Sequence, residues 1–273
     1  MENSRIAWTH HTFNLHIGCT QCSEECKNCY AKKEDGRNKL SPYSHWGPGA
    51  PRYELSEAYW KKPYSWNRKA ETDGIRKRVF CGSMCDWADA EAPLGVRGRL
   101  WYLIRNTPNL DWLLLTKRAV HIAKYLPPDW GTSGYPNVWL GVSCGNKKNG
   151  YPRIDILRTI PAAVRFLSVE PMLEDMPDMN MTGIDWVITG GESGSNAREF
   201  DVEWSRNLLA AARKAGVAFF MKQVGSNPVE NDSPFYIQYS QEDGKLDYSG
   251  HVIQNFPVDL QIRELPTLVQ QHN

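Results

Sequence analysis

The sequence predicts an α/β fold built on a parallel sheet, and three observations predict it. Short runs that are apolar almost throughout recur along the chain, as strands covered on both faces require. Segments with helical spacing separate them, and polar or ionisable residues close most of the runs at the same end. Strand and helix alternate about six times, the pattern of parallel strands joined by right-handed crossovers. This much fits an open doubly wound sheet and a closed or partial barrel alike.

The first strand falls within Thr12–Gly18. Six more follow: Arg78–Asp86 (RVFCGSMCD), Asp111–Arg118 (DWLLLTKR), Asn137–Ser143 (NVWLGVS), Val164–Glu170 (VRFLSVE), Asp185–Glu192 (DWVITGGE) and Val217–Gln223 (VAFFMKQ). Of the helices, Leu94–Arg105 carries Leu100, Trp101, Leu103 and Ile104 among basic residues. Val120–Tyr125 is short because Pro127 and Pro128 stop it. Arg153–Ile160 sets Ile154, Ile156, Leu157 and Ile160 around one face. Val202–Ala215 presents Trp204, Leu208, Leu209 and Ala212, and Gly216 ends it.

The strand ends supply candidate site residues: Ser83 and Asp86; Thr116, Lys117 and Arg118; Ser143; Ser168 and Glu170; Glu192 and Ser193; Lys222 and Gln223. In βα barrels the C-terminal rim carries the active site. Every strand must end in something polar, so one such end means little, whereas a full set marks a rim.

Two regions depart from the rhythm. Lys32–Arg78 has no clean periodicity and reads as an irregular insertion. It holds twelve Lys/Arg against six Asp/Glu, with Tyr43, Trp46, Tyr53, Tyr59, Trp60, Tyr64 and Trp66 interleaved. These are the ingredients of a nucleic-acid contact, charge for phosphate and rings for stacking; they equally suit a solvated insertion whose aromatics pack downward. Ser226–Asn273 is polar, Gln-rich and broken by prolines, and is expected to wrap the surface as a hairpin or loop with a turn at Asp247–Gly250. The domain reading is therefore a barrel over 1–225, containing the 32–78 insertion, and an extension over 226–273.

Composition narrows the classes. Lys plus Arg is 32 and Asp plus Glu 31, so a net charge of +1 exerts no global pull toward nucleic acid or membrane. No apolar run approaches a membrane span. The opening MENSRIAWTHHTFN lacks a signal-like apolar stretch. A reducing cytoplasm is expected. In that setting seven cysteines, an odd number, argue against a disulfide framework.

Four of the seven fall within eleven residues: Cys19, Cys22, Cys26 and Cys29. Cys22, Cys26 and Cys29 form one triad; Cys19, Cys26 and Cys29 form another. Either loop can fold round a cubane iron–sulfur cluster, with three thiolates on three irons. All four together suit a zinc knuckle, although zinc ribbons usually hold their two pairs much further apart. His10, His11 and His16 precede the loop and read as structural.

The cysteine spacing and the aromatic Tyr30 after it, set between a first strand and a βα series, resemble the radical S-adenosylmethionine superfamily. More closely, the chain resembles a phage-associated three-cysteine family. The stretches that carry this are IAWT (6–9), GCTQCSEECKNCYA (18–31), VFCGSMCD (79–86), LLLTKR (113–118), PPDWG (127–131), NVWLGVS (137–143), PAAVRFLSVEP (161–171), DWVITGGESG (185–194) and AFFMKQ (218–223). The resemblance implies a partial (β/α)6-type TIM-like barrel and a 4Fe–4S cluster on Cys19, Cys26 and Cys29. Cys22 stands where that family usually has an apolar residue; it also restores the commoner superfamily spacing, and so is an alternative ligand.

By the same resemblance S-adenosylmethionine is the second cofactor. Gly82, Ser83 and Met84 would offer backbone carbonyls to its amino group, with Asp86 assisting, and Lys117 would pair with its carboxylate. Ser143 and Glu170 would bond the ribose. Gly190 and Gly191 would admit the adenine, and Tyr30 would pack on it or cap the cluster loop. Lys222, Gln223 and Glu192 would face the substrate. An external donor would supply one electron, the S–C5′ bond would break, and a 5′-deoxyadenosyl radical would take hydrogen from the substrate. The phage association points to a modified nucleobase in DNA, rearranged by a radical isomerisation. A lyase for DNA photoproducts and a non-catalytic iron–sulfur or zinc nucleic-acid-binding protein are the rival expectations.

Overall fold

The computed structural model describes residues 1–38, 41–235, 241–242, 245–246 and 250–267. Seven strands make the main sheet: β1 (His11–Phe13), β2 (Lys77–Cys81), β3 (Leu110–Thr116), β4 (Val138–Ser143), β5 (Val164–Val169), β6 (Trp186–Gly190) and β7 (Ala218–Gln223). The sheet order follows the chain from β1 to β7. That is the singly wound order of a partial βα barrel; a doubly wound sheet would reverse direction. The fold is α/β, with small extra sheets. Among the described residues no helix is long and apolar enough to cross a membrane.

The chain divides into two compact units, 1–142 with 159–163, and 143–158 with 164–273. In the first, β1 pairs in parallel with β2, β2 with β3, and β3 with β4. Phe13, Trp112, Leu113 and Leu114 are fully buried. β2 stops at Cys81, short of the expected Asp86, because Gly82 turns the chain at a φ of 102°. After β1 the chain makes a short antiparallel pair, His16–Ile17 with Tyr53–Glu54.

The insertion is more regular than its sequence suggests. α1 (Tyr30–Asn38) leaves the cysteine loop, a single turn spans Glu57–Trp60, and α2 spans Lys62–Asp73. Ser56 caps the single turn, Pro63 lies in the first turn of α2, and Gly74 ends α2 in the left-handed region. The buried face of α2 is Pro63, Trp66 and Ala70, correctly spaced but with only one strongly apolar member. Trp60 and Trp66 are core residues, 4% and 2% exposed. Trp60 meets the Phe13 ring edge-on at 5.0 Å, and Trp66 stacks on His11 at 4.5 Å. Of the two readings of the insertion, these two rings follow the one in which the aromatics pack downward. Lys61, Lys62, Arg68 and Lys69 remain exposed. α3 (Val96–Arg105) follows the reading closely, and Val120–Tyr125 is a 3-10 turn running into one α-turn.

In the second unit, β5 pairs with β6 and β6 with β7, all parallel. α4 (Lys147–Thr159) begins before the expected Arg153, with Pro152 inside it. Gly150 and Pro152 hide its start; Asn146 caps it through the Asn149 N–H at 2.9 Å. α5 (Val202–Ala215) has the expected bounds, with Asp201 bonding the Glu203 N–H and Gly216 closing it. Pro228–Glu230 pairs with Phe200–Asp201 and with Ser233–Pro234, and Gln241–Glu242 pairs with Lys245–Leu246. Further on, the Met221 N–H donates to the Ile262 carbonyl and Glu264 N–H to Phe219, so the extension covers the β7 edge. Of the expected turn at Asp247–Gly250, residues 247–249 lie outside the described residues.

Candidate functional site

In the first unit the cysteine loop starts at Gly18, whose φ is 112°. A Cβ there would stand 2.2 Å from the His45 carbonyl oxygen, so the position requires glycine. The Gly18 N–H donates to the Met84 carbonyl at 3.0 Å, and Gly47 N–H donates to the Cys19 carbonyl at 3.0 Å. Arg52, its guanidinium buried, donates to Thr20 Oγ1 at 2.8 Å, to Asp89 at 2.9 Å and to the carbonyls of His45, Gly47 and Ala50. Asn14 Oδ1 accepts the Met84 N–H at 2.7 Å and fixes the turn after β2.

Behind the loop, Asp35 accepts from Trp46 Nε1 and bonds His45 Nδ1, while His45 Nε2 meets Ser41 Oγ at 2.8 Å. The connectivity resembles a nucleophilic triad, but Ser41 Oγ also accepts the Tyr43 N–H. Its evident work is closing the loop that supports Gly18.

All four loop cysteines are free thiols; Cys22 is exposed and the others are half-buried. Arg118 Nη1 donates to Cys19 Sγ at 3.3 Å. Burial pushes the Cys19 thiol up to about 11, with Asp86 adding to the rise and Arg118 opposing it. Cys26 ends a 3-10 turn, Glu24–Cys26, and Ser23 Oγ lies 3.8 Å from its sulfur. The hydrogen bond from the Cys22 thiol holds Cys26 low, against burial and with help from Lys117; the same bond raises Cys22. Cys29 stands immediately before α1, its N–H on the Cys26 carbonyl at 3.3 Å.

Asp86 is engaged by its own chain. Oδ1 accepts from the Thr116 hydroxyl at 2.6 Å and the Ala88 N–H at 3.0 Å; Oδ2 accepts from Lys117 N–H at 3.1 Å and pairs with Arg118 at 2.9 Å. Asp86 thereby anchors Arg118. The Tyr30 hydroxyl donates to the Ser83 carbonyl at 2.7 Å and ties the start of α1 to the turn after β2.

Does the loop fit an iron–sulfur cluster? Its donors are soft, free and partly exposed, and Arg118 and Lys117 favour the thiolate state that metal binding needs. Among the described residues no three His, Cys, Asp or Glu are gathered to hold one metal ion. That concerns a single ion; cubane ligands bind separate irons and stand further apart than ligands sharing one. The donor set fits the cluster.

In the second unit the strand ends make charged pairs. Lys222 Nζ lies 2.8 Å from Glu170 Oε1, and the Ser168 hydroxyl donates to Glu170 Oε2 at 3.3 Å. Arg198 holds Glu192 through its N–H at 3.0 Å and its guanidinium at 2.7 and 3.1 Å. Gln223 Nε2 donates to the Gly191 carbonyl at 2.8 Å and to Ser193 Oγ at 2.7 Å. Glu192 and Gln223 brace the loop after β6. Lys222 is different, with a quarter of its side chain exposed. Gly190 and Gly191 have an internal reason to be glycine. A Cβ would meet Glu170 and Gln223 at 3.1 Å in the first case and the Val224 carbonyl oxygen at 2.3 Å in the second. Ser143 is buried, and its carbonyl accepts from Arg153 at 2.8 Å.

Asn14, Gly18 and Arg52 shape the cysteine loop but were not among the candidate residues read from the sequence. Arg118 was read there only as a strand-end candidate beside Thr116, and both bond Asp86.

A family model matches residues 3–257, and its description is "Protein of unknown function (DUF5131)". No curated protein and no solved structure matches the chain.

Proposed function

We propose that the chain, which belongs to the DUF5131 family, is a radical S-adenosylmethionine enzyme whose 4Fe–4S cluster is held by Cys19, Cys26 and Cys29. One observation carries the reading: four free thiols lie in a braced loop between the first strand of a parallel sheet and the following helix. Cys19 is the sulfur met by a guanidinium, whereas Cys22 is the exposed one, bonded to Cys26. Cys22 is left as a spare thiol or alternative ligand.

When bound and reduced by an external one-electron donor, the cluster would supply the electron for reductive cleavage of S-adenosylmethionine and so for hydrogen abstraction from the substrate. The chain's own residues position the parts. Arg118 and Asp86 fix Cys19. The Ser83 carbonyl, taken by the Tyr30 hydroxyl, is the proposed acceptor for the methionine amino group, which displaces Tyr30. Lys117 is the proposed partner of the methionine carboxylate.

The proposed substrate is a modified nucleobase in phage DNA. Its support is the family resemblance together with the exposed Lys61, Lys62, Arg68 and Lys69, which suit phosphate. Reconstitution with iron and sulfide under anaerobic conditions tests the reading. The expected product is an oxygen-sensitive brown protein with about four irons per chain. Stoichiometric zinc with no iron would overturn it.

A further inference from the structure

We infer that Arg118 is a positioning residue for the cluster, fixing the Cys19 sulfur and setting the reduction potential through its hydrogen bond to it. The inference rests on the cluster reading and adds to it a residue outside the ligand set.

The guanidinium is held from several sides. Nη1 donates to Cys19 Sγ at 3.3 Å and to Asp86 Oδ2 at 2.9 Å. Nη2 donates to the Thr20 carbonyl at 2.5 Å and stands 3.9 Å from Asp89. Asp86 is in turn fixed by Thr116, Ala88 and Lys117, so the chain of contacts from β3 to Cys19 has no loose member. The arginine side chain is only 11% exposed, so water screens its charge weakly. A planar fork with donors in fixed directions can meet a carboxylate, a carbonyl and a sulfur together; an ammonium on a flexible stem cannot keep all three.

The consequence for a bound cluster follows from charge. Reduction adds negative charge, part of which rests on the ligand sulfurs. An N–H donor and a positive charge at one sulfur stabilise the reduced form and raise the potential. Asp86 opposes this, being negative and close behind the guanidinium. The two residues therefore pull in opposite directions.

The test uses the full chain, reconstituted anaerobically, with no S-adenosylmethionine present, and follows the cluster's paramagnetic signal through a redox titration. Arg118→Gln should shift the one-electron equilibrium about tenfold toward the oxidised cluster, 59 mV more negative. Arg118→Lys should shift it less, and Asp86→Asn should shift it the other way. Arg118→Gln should also lose iron to a chelator faster than the wild type. Full iron with an unchanged potential in Arg118→Gln overturns the inference and leaves the cluster reading standing. Absence of iron from the wild type overturns both. Should Arg118→Gln not fold, Arg118→Lys decides: wild-type potential and wild-type chelator kinetics together overturn the inference.

Discussion

The cysteine loop of the first unit and the strand-end cluster of the second are both rich in chemically capable groups, yet they spend them differently. The loop is built by Gly18, Asn14, Arg52, Thr20 and backbone amides, and its thiols are extra to that scaffold. After β6, by contrast, Glu192, Arg198, Gln223 and Ser193 are themselves the scaffold. A polar residue at a strand end is therefore not by itself the mark of a ligand site; it can equally be scaffold.

The largest expected effect separates these regions outright. Cys26→Ala, Cys29→Ala and Cys19→Ala should each abolish cluster assembly, while Cys22→Ala is tolerated. The metal-free variants should unfold within about 0.5 kcal/mol of the metal-free wild type, because the thiols do not build the loop. Cluster retention in Cys19→Ala and loss in Cys22→Ala would move the triad.

Next in size is Trp66→Ala. It should lower unfolding free energy by about 3–5 kcal/mol, as removal of a buried indole does. A stable variant with weakened DNA binding would restore the stacking role that burial argues against. Breaking the Glu192–Arg198 pair with Arg198→Ala should cost less, about 1–2 kcal/mol, since the arginine is partly exposed. Loss of activity at full stability would instead make that pair part of a ligand site.

Acid should act on the first unit through His16. The ring is fully buried, with no hydrogen-bond partner for either nitrogen among the described residues, and burial lowers its pKa to about 4. The unfolded histidine takes its proton near 6.5; the native one resists to about 4. In that window the unfolded state binds more protons, so stability falls as pH drops, by at most about 1.4 kcal/mol per pH unit. His10 and His11 are lowered in the same direction. Denaturant titrations of His16→Leu across this range should give a shallower slope; an equal slope would show that His16 is not held neutral.

The smallest stability effect belongs to the exposed cations. Replacing Lys61, Lys62, Arg68 and Lys69 with Gln should leave unfolding nearly unchanged but weaken DNA binding and flatten its salt dependence. Unaltered affinity and salt slope would point to a free nucleoside or another small substrate.

Much of the fold was legible. Apolar runs such as DWLLLT and NVWLGV read as strands covered on both faces and are strands, and α5 carries its own cap and stop. The helices of the insertion were not, because α2 buries a face of Pro63, Trp66 and Ala70 that barely registers as apolar. The cysteine loop was legible as spacing, since four thiols in eleven residues are rare by chance. What braces it was not. Arg52, Asn14 and Arg118 act across separations of 32, 70 and 99 residues, and only the folded sheet edge brings them to the loop. The partners of Glu192 and Gln223 were hidden for a related reason: a sequence shows that a group can bond but not whether its neighbours already use it.

The most direct measurement is 5′-deoxyadenosine formation by anaerobically reconstituted, chemically reduced protein given S-adenosylmethionine. The wild type should release 5′-deoxyadenosine, slowly without substrate, and Cys26→Ala should release none. A wild type that holds its full iron–sulfur cluster, accepts an electron and still forms no 5′-deoxyadenosine, with or without modified phage DNA, would contradict the account.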